Sequence, residues 1–138
     1  DNLVFIDDYA HHPEEINAVH QAVREMYPNK KVLAIFQPHL FTRTRDFYQD
    51  FAQAFQQSDI LIVTDIFPAR EKPIEGITAK IIADEAEKLG HEKIEFIADQ
   101  TEIPARLKEI SQPDDMIITM GAGNIWRQCE GIYEALNN

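Results

Sequence analysis

The sequence predicts a Rossmann-like α/β domain. It has three layers and is doubly wound, with a mainly parallel sheet of about five or six strands and helices on both faces. Three observations predict it. Five short apolar runs alternate with stretches whose apolar residues recur at helical spacing. The run at residues 60–63, Ile-Leu-Ile-Val, is apolar at every position, as expected of a strand covered on both faces. The 138 residues suit one domain rather than two, so residues 1–138 are taken as a single unit.

Residues 3–6, Leu-Val-Phe-Ile, form the first predicted strand. Pro13 then fits the first turn of a helix, where its missing N–H costs nothing, and Ile16, Val19, Val23 and Met26 give that helix one apolar face. Pro28-Asn29 ends it. Residues 32–36 make the second strand, and Phe47, Phe51, Ala54 and Phe55 line the core face of the second helix. Residues 60–63 are the third strand, followed by a loop over residues 67–77 with two prolines and a glycine. Thr78 is positioned to cap a third helix carrying Ile82, Ala86 and Leu89, and Gly90 closes it. Residues 94–97 are the fourth strand, and Ile103, Leu107 and Ile110 mark the fourth helix. Residues 116–119 are the fifth strand. Gly121-Ala-Gly123 then turns into a last helix bearing Ile125, Cys129, Ile132 and Leu136. Right-handed crossovers make such a succession a doubly wound sheet. Trp126 is expected to cover the sheet edge, and His20 and His91 to lie on the surface.

Composition narrows function. Hydrophobic residues at 44% and charged residues at 27% are ordinary for a globular chain. With 13 Lys and Arg against 24 Asp and Glu, the net charge is −11. That argues against nucleic acid and against an anionic membrane as partners. No apolar run approaches the ~20 residues of a membrane span, and no signal-peptide pattern opens the chain. The single cysteine, Cys129, cannot form an internal disulfide, which fits a reducing cytoplasm. The first residue is not Met and the chain opens directly on a strand, so an excised domain is expected.

In an open α/β sheet, ligands bind beyond the carboxyl ends of the strands. After the first strand stands Asp7-Asp-Tyr-Ala-His-His-Pro13. A carboxylate there suits ribose hydroxyls, and an imidazole or the Tyr9 ring suits stacking on a base; helix capping explains the same carboxylates equally well. No set of metal ligands is evident. After the second strand stands Gln37-Pro-His-Leu-Phe-Thr-Arg-Thr-Arg45, the most basic spot in the first half of the chain. Arg43 and Arg45 suit a carboxylate or phosphate bound through paired N–H donors, and a nearby helix N-terminus favours an anion. The alternative is pairing with Asp46 or Asp50 on the surface. Asp65-Ile-Phe-Pro-Ala-Arg-Glu71 opens the longest loop, as a site rim or as a connection with Arg70 and Glu71 solvated. Gly121-Ala-Gly-Asn124 lacks a full dinucleotide fingerprint, so its glycines serve close packing. No P-loop is present.

Taken together and in order, these four segments resemble the C-terminal domain of the Mur ligase family of peptidoglycan synthesis. The resemblance covers nearly the whole chain. The Gln-Pro-His…Thr-Arg-Thr-Arg stretch is most similar to the family member that adds L-alanine. A resemblance of this kind implies a fragment of a three-domain enzyme, with N-terminal UDP-sugar and central P-loop domains elsewhere. ATP phosphorylates UDP-N-acetylmuramate at its muramoyl carboxylate, L-alanine attacks the acyl phosphate, and Mg2+ on the central domain neutralises the phosphates. It implies Asp8 at the ATP ribose with His12 also on the nucleotide, and His11 and His39 as catalytic groups. It places Tyr9, His39, Arg43 and Arg45 around L-alanine, with Arg43 on its carboxylate. Family members commonly carry a basic residue where this chain has Leu40, and Arg45 is the expected substitute. Bacterial cytoplasm is the implied location, and the domain alone is expected to be inactive. Competing readings are the murein peptide-recycling ligase of the same family, a stand-alone nucleotide-binding module, and a receiver-like module with Asp65 as the phosphorylated residue. The last lacks its lysine after the fifth strand.

Overall fold

The computed structural model describes residues 3–137. Five strands form one sheet: β1 (Val4–Asp8), β2 (Val32–Phe36), β3 (Ile60–Val63), β4 (Ile94–Phe96) and β5 (Met116–Met120). All neighbouring pairs are parallel, in the order β1-β5-β2-β3-β4. The five helices are α1 (Pro13–Met26), α2 (Phe41–Ala54), α3 (Lys80–Lys88), α4 (Ile103–Ile110) and α5 (Cys129–Leu136). A 3-10 turn at Ile125–Gln128 leads into α5.

Strand alternation divides the core in two. Val32, Ala34 and Phe36 of β2 face one side, with Ile16 and Val23 of α1, Phe51 of α2 and Ile82 of α3. Leu33 and Ile35 face the other, with Ile103 and Leu107 of α4 and Ile132 of α5. β2, β3 and β5 are buried at every position, whereas β1 and β4, at the edges, are only partly so. Continuous apolarity in the central runs therefore reports two covered faces.

The chain winds from β1 past β5 to β2, β3 and β4, and then returns to insert β5 between β1 and β2. Helices α1 to α3 lie on one face and α4 and α5 on the other, so the chain leaves β5 toward the opposite face from the one it takes after β1 and β2. The strand order thus reverses beside β5, where an open α/β sheet has its ligand crevice.

Several side chains depart from expectation. His20 and His91 are buried, not on the surface. His20 follows Ile16 by four residues, on the same helix stripe. Its Nδ1–H donates to the Ile16 carbonyl at 2.9 Å, and Nε2 accepts from the Ser58 hydroxyl at 2.5 Å. His91 Nε2–H donates to the Ser58 carbonyl at 2.7 Å. Phe47 is 41% exposed, because the buried stripe of α2 runs through Thr44, Phe51 and Phe55. Leu89 and Met26 are exposed at their helix ends. Trp126 does not cover the sheet edge; it is exposed, with the Arg127 guanidinium 5.6 Å from its ring centre. Thr78 does not cap α3, whose N-cap is Ala79 with no side-chain hydrogen bond.

Candidate active site

The segments after β1 and β2 meet at the carboxyl edge of the sheet. In β1, Asp7 is level with Thr119 of β5 and Asp8 with Met120. Alternation sends the two carboxylates to opposite faces. Asp7 Oδ1 accepts from the Thr119 hydroxyl at 2.6 Å, on the side of α5. Cys129 stands nearby, and burial, with Asp7 next, pushes its thiol pKa up, which keeps it unreactive. Asp8 Oδ1 accepts from the Ala10 N–H at 2.8 Å and so shapes the turn; Oδ2 has no hydrogen bond among the described residues.

The turn then enters α1 through His11 and His12, whose backbone N–H groups both donate to Glu15 Oε1 at 3.0 Å. These bonds, that from His11 first, hold the Glu15 carboxyl below its usual pKa. His11 Nδ1 lies 3.0 Å from the Tyr9 carbonyl and 3.4 Å from Glu15 Oε1. Two acceptors there assign the proton to Nδ1 and leave the Nε2 lone pair open. The His11 ring is 4.7 Å from His12, 5.3 Å from Tyr9 and 5.7 Å from His39, centre to centre. Tyr9 itself is exposed. A groove of about 470 Å³ opens beside His12, lined also by Glu14, Asn17, Phe47 and Asp50.

His39 arrives from β2. It forms an isolated parallel bridge with Phe67, and the two rings stack at 5.7 Å with an 11° tilt. Arg43 Nη1 donates to His39 Nδ1 at 3.0 Å, one turn along α2. His39 is thereby neutral, with its proton on Nε2. Burial first, then the Arg43 charge, then His11, hold its pKa below the ordinary imidazole value, and Glu71 opposes them. Arg45 is bound in an ion pair with Asp46, its Nε donating at 2.9 Å, and lies within electrostatic reach of Glu71. Asp65 and Arg70 are exposed, and Arg70 has no ion pair among the described residues.

The sequence did not single out three residues that build this edge. Glu71 is half-buried and not free in solvent: it accepts from the N–H groups of Phe41 and Thr42 at 2.6 and 3.1 Å and from the Thr42 hydroxyl at 2.5 Å. Gln37 is buried. Its Oε1 accepts from the N–H groups of Asn124 and Ile125 at 2.9 and 3.0 Å, and its Nε2 donates to Asn124 Oδ1 at 2.7 Å. Phe67 lies so close to Gly123 that a Cβ there would stand 2.4 Å from its ring. The last has a direct sequence signal, the small residue at position 123, and Glu71 shows only through the missing capping side chain at Leu40. The glycines of this turn do serve close packing.

Among the described residues, no group of three or more His, Cys, Asp or Glu is placed to hold a metal ion, and no helix is long and apolar enough to cross a membrane.

The carboxyl edge of this parallel sheet gathers a carboxylate, three imidazoles and a guanidinium, at the place where open α/β folds hold their ligands. This chain belongs to the Mur ligase family: the family model for "Mur ligase, glutamate ligase domain" matches residues 1–123. It is 50% identical over 137 residues to the UDP-N-acetylmuramate–L-alanine ligase of Flavobacterium johnsoniae, covering 99% of this chain and 29% of that protein. Against the Salinibacter ruber protein of the same name the identity is 43% over 136 residues, with the same coverage. The solved UDP-N-acetylmuramate–alanine ligase of Thermotoga maritima superposes with a TM-score of 0.76 at 28% identity, over 99% of this chain and 27% of that one. A murein peptide ligase from Psychrobacter arcticus shares the fold, with a TM-score of 0.80 at 17% identity over 99% of this chain and 28% of that one. The chain spans about 29% of the length of the curated relatives it matches.

Proposed function

We propose that this chain is the C-terminal domain of an ATP-dependent ligase of the bacterial cytoplasm. The ligase joins L-alanine to UDP-N-acetylmuramate through an acyl phosphate in peptidoglycan precursor synthesis. Its N-terminal and central domains belong to a longer chain. The observation that carries the reading is the Arg43–His39 pair set against the His11 ring, in a chain half identical to proteins of that name.

Each side chain then has a task. Arg43 binds the carboxylate of L-alanine by charge-assisted hydrogen bonds. His11, protonated on Nδ1, offers its Nε2 lone pair to the substrate ammonium and takes one proton. The freed amine attacks the acyl carbon, a C–N bond forms, the C–O bond to the phosphate breaks, and the second amine proton leaves with the phosphate. His39 has its Nδ1 lone pair engaged by Arg43, so it serves as an Nε2–H donor rather than as the base. Tyr9 flanks the amino acid. Asp8, with Oδ2 open, and His12 receive the ATP ribose and nucleoside. Arg45, engaged with Asp46, supplies background charge. Mg2+, which the reaction class implies, would be held mainly by the central domain; among the described residues no group of three or more His, Cys, Asp or Glu is placed to hold it.

The test is ADP release by the full-length gene product. It is expected only when UDP-N-acetylmuramate, L-alanine and ATP are all present. Turnover with a muropeptide stem in place of L-alanine, and none with L-alanine, would assign the recycling reaction instead. The chain of residues 1–138 alone is expected to release no ADP.

A further inference from the structure

The helix that carries Arg43 lacks a cap of its own. Its N-cap residue is Leu40, which has no side-chain acceptor and sits at φ 75°, in the left-handed region that an L-residue with a branched side chain seldom adopts. The first N–H groups of α2 would be orphaned without help. That help comes from the loop after β3. Glu71 takes the N–H groups of Phe41 and Thr42 on Oε1 and the Thr42 hydroxyl on Oε2. These bonds, the hydroxyl first, hold its carboxyl below the usual range, so it is an anion at neutral pH.

Glu71 is itself fastened. Its N–H donates to the Pro68 carbonyl at 2.9 Å, closing a turn in which Ala69 stands at φ 54°. Just before that turn, Phe67 N–H donates to the Pro38 carbonyl at 2.8 Å and Leu40 N–H donates to the Phe67 carbonyl at 2.9 Å. The loop after β3 is thus laced to the segment 38–42 on both sides of His39. One further consequence is chemical. The N-terminus of α2 would ordinarily attract a substrate anion, but an internal carboxylate already occupies it. The substrate carboxylate is left to Arg43.

We propose that Glu71 is a positioning residue for the amino-acid subsite. By capping α2 across the loop it fixes Leu40 in its strained conformation, and with it the aim of His39 and Arg43. This rests on the ligase reading above. It predicts a split that loss of stability alone would not produce. In the full-length ligase, Glu71→Ala raises the KM for L-alanine at least tenfold and leaves the KM for ATP within twofold. Glu71→Gln, whose amide oxygen still accepts both N–H bonds, recovers most of that loss. Gln lacks the charge, so the imidazole of His39, followed by NMR titration in the 138-residue chain, titrates lower in Glu71→Gln than in the parent. Should Glu71→Ala not fold, the Glu71→Gln titration decides alone. An alanine KM within twofold of the parent, an equal rise in the KM for ATP, or an unmoved His39 titration overturns the proposal. Joining of L-alanine by the parent enzyme is scored separately. If the parent fails to join L-alanine, the ligase reading falls, and the titration still judges the link between Glu71 and His39.

Discussion

Replacing Gln37 with Leu isolates the clamp between β2 and the turn after β5. The two side chains are close in size, so little cavity forms. What is lost is polar pairing. The N–H of Ile125, which is buried, and that of Asn124, which is partly buried, both lose their acceptor on Oε1. Asn124 Oδ1 loses one donor but keeps Gln100 Nε2 at 3.0 Å. A buried donor left unpaired costs about 1–3 kcal/mol, and a partly exposed one less, because water reaches it. The expected loss is about 2–4 kcal/mol, or about 6–15 °C of melting temperature for a domain of this size. Calorimetric or circular-dichroism melting of the 138-residue chain measures it. A Gln37→Leu chain melting within about 2 °C of the parent would mean that the two N–H groups do not depend on Gln37.

Other outcomes follow from the same geometry. Arg43→Ala should raise the KM for L-alanine by about 10- to 100-fold with the KM for ATP unchanged, since a charge-assisted bond is worth about 1.5–3 kcal/mol, and Arg45→Ala should change it little. Asp8→Ala should weaken ATP binding by isothermal titration; affinity equal to the parent would leave Asp8 as a turn-former only. Burial, ahead of the other causes, depresses the pKa of His20, so the unfolded chain binds its proton more readily than the folded one. Stability should be full above about pH 6.5, the unfolded imidazole value, and fall as pH drops below it toward the lowered folded value. His20→Gln should flatten that limb of the denaturation curve. Gly123→Ala places a methyl 2.4 Å from the Phe67 ring, so it should destabilise by about 1–3 kcal/mol and shift the His39 resonances.

Much of the fold was legible because β2 and β3 are apolar without interruption, the other strands are short and mostly apolar, and the helices carry one apolar stripe. Strand order was not, since nothing in residues 116–120 says that they lie between β1 and β2. His20 was misplaced because its polarity outweighed its position on the stripe of Ile16 and Val23. Phe47 was misplaced in the opposite sense. In the candidate site, residue type at strand ends pointed to Asp8, His11, His12, His39 and Arg43, and the structure brings them to one edge of the sheet. Arg43 and Arg45 read alike in sequence, but two residues along a helix they point apart, and the structure gives one to His39 and the other to Asp46. Glu71 was illegible because its partners lie about thirty positions earlier, in the first turn of α2. The absence of a capping side chain at Leu40 was its only trace.

The insertion of β5 bears on how the domain is made. β1 and β2 lie two strand spacings apart, about 10 Å, with β5 between them. Until residues 116–120 leave the ribosome that slot has no occupant, and the β1 turn, including His11, cannot be held in register beside His39. The two sides of the edge, the β1 turn and the segment after β2, therefore come into being together and late, through a contact spanning over a hundred residues. A nascent chain that stops short of residue 116 would expose the unpaired flanks of β1 and β2, a form prone to associate with other copies. Competence to bind is in this way tied to completion of the sheet.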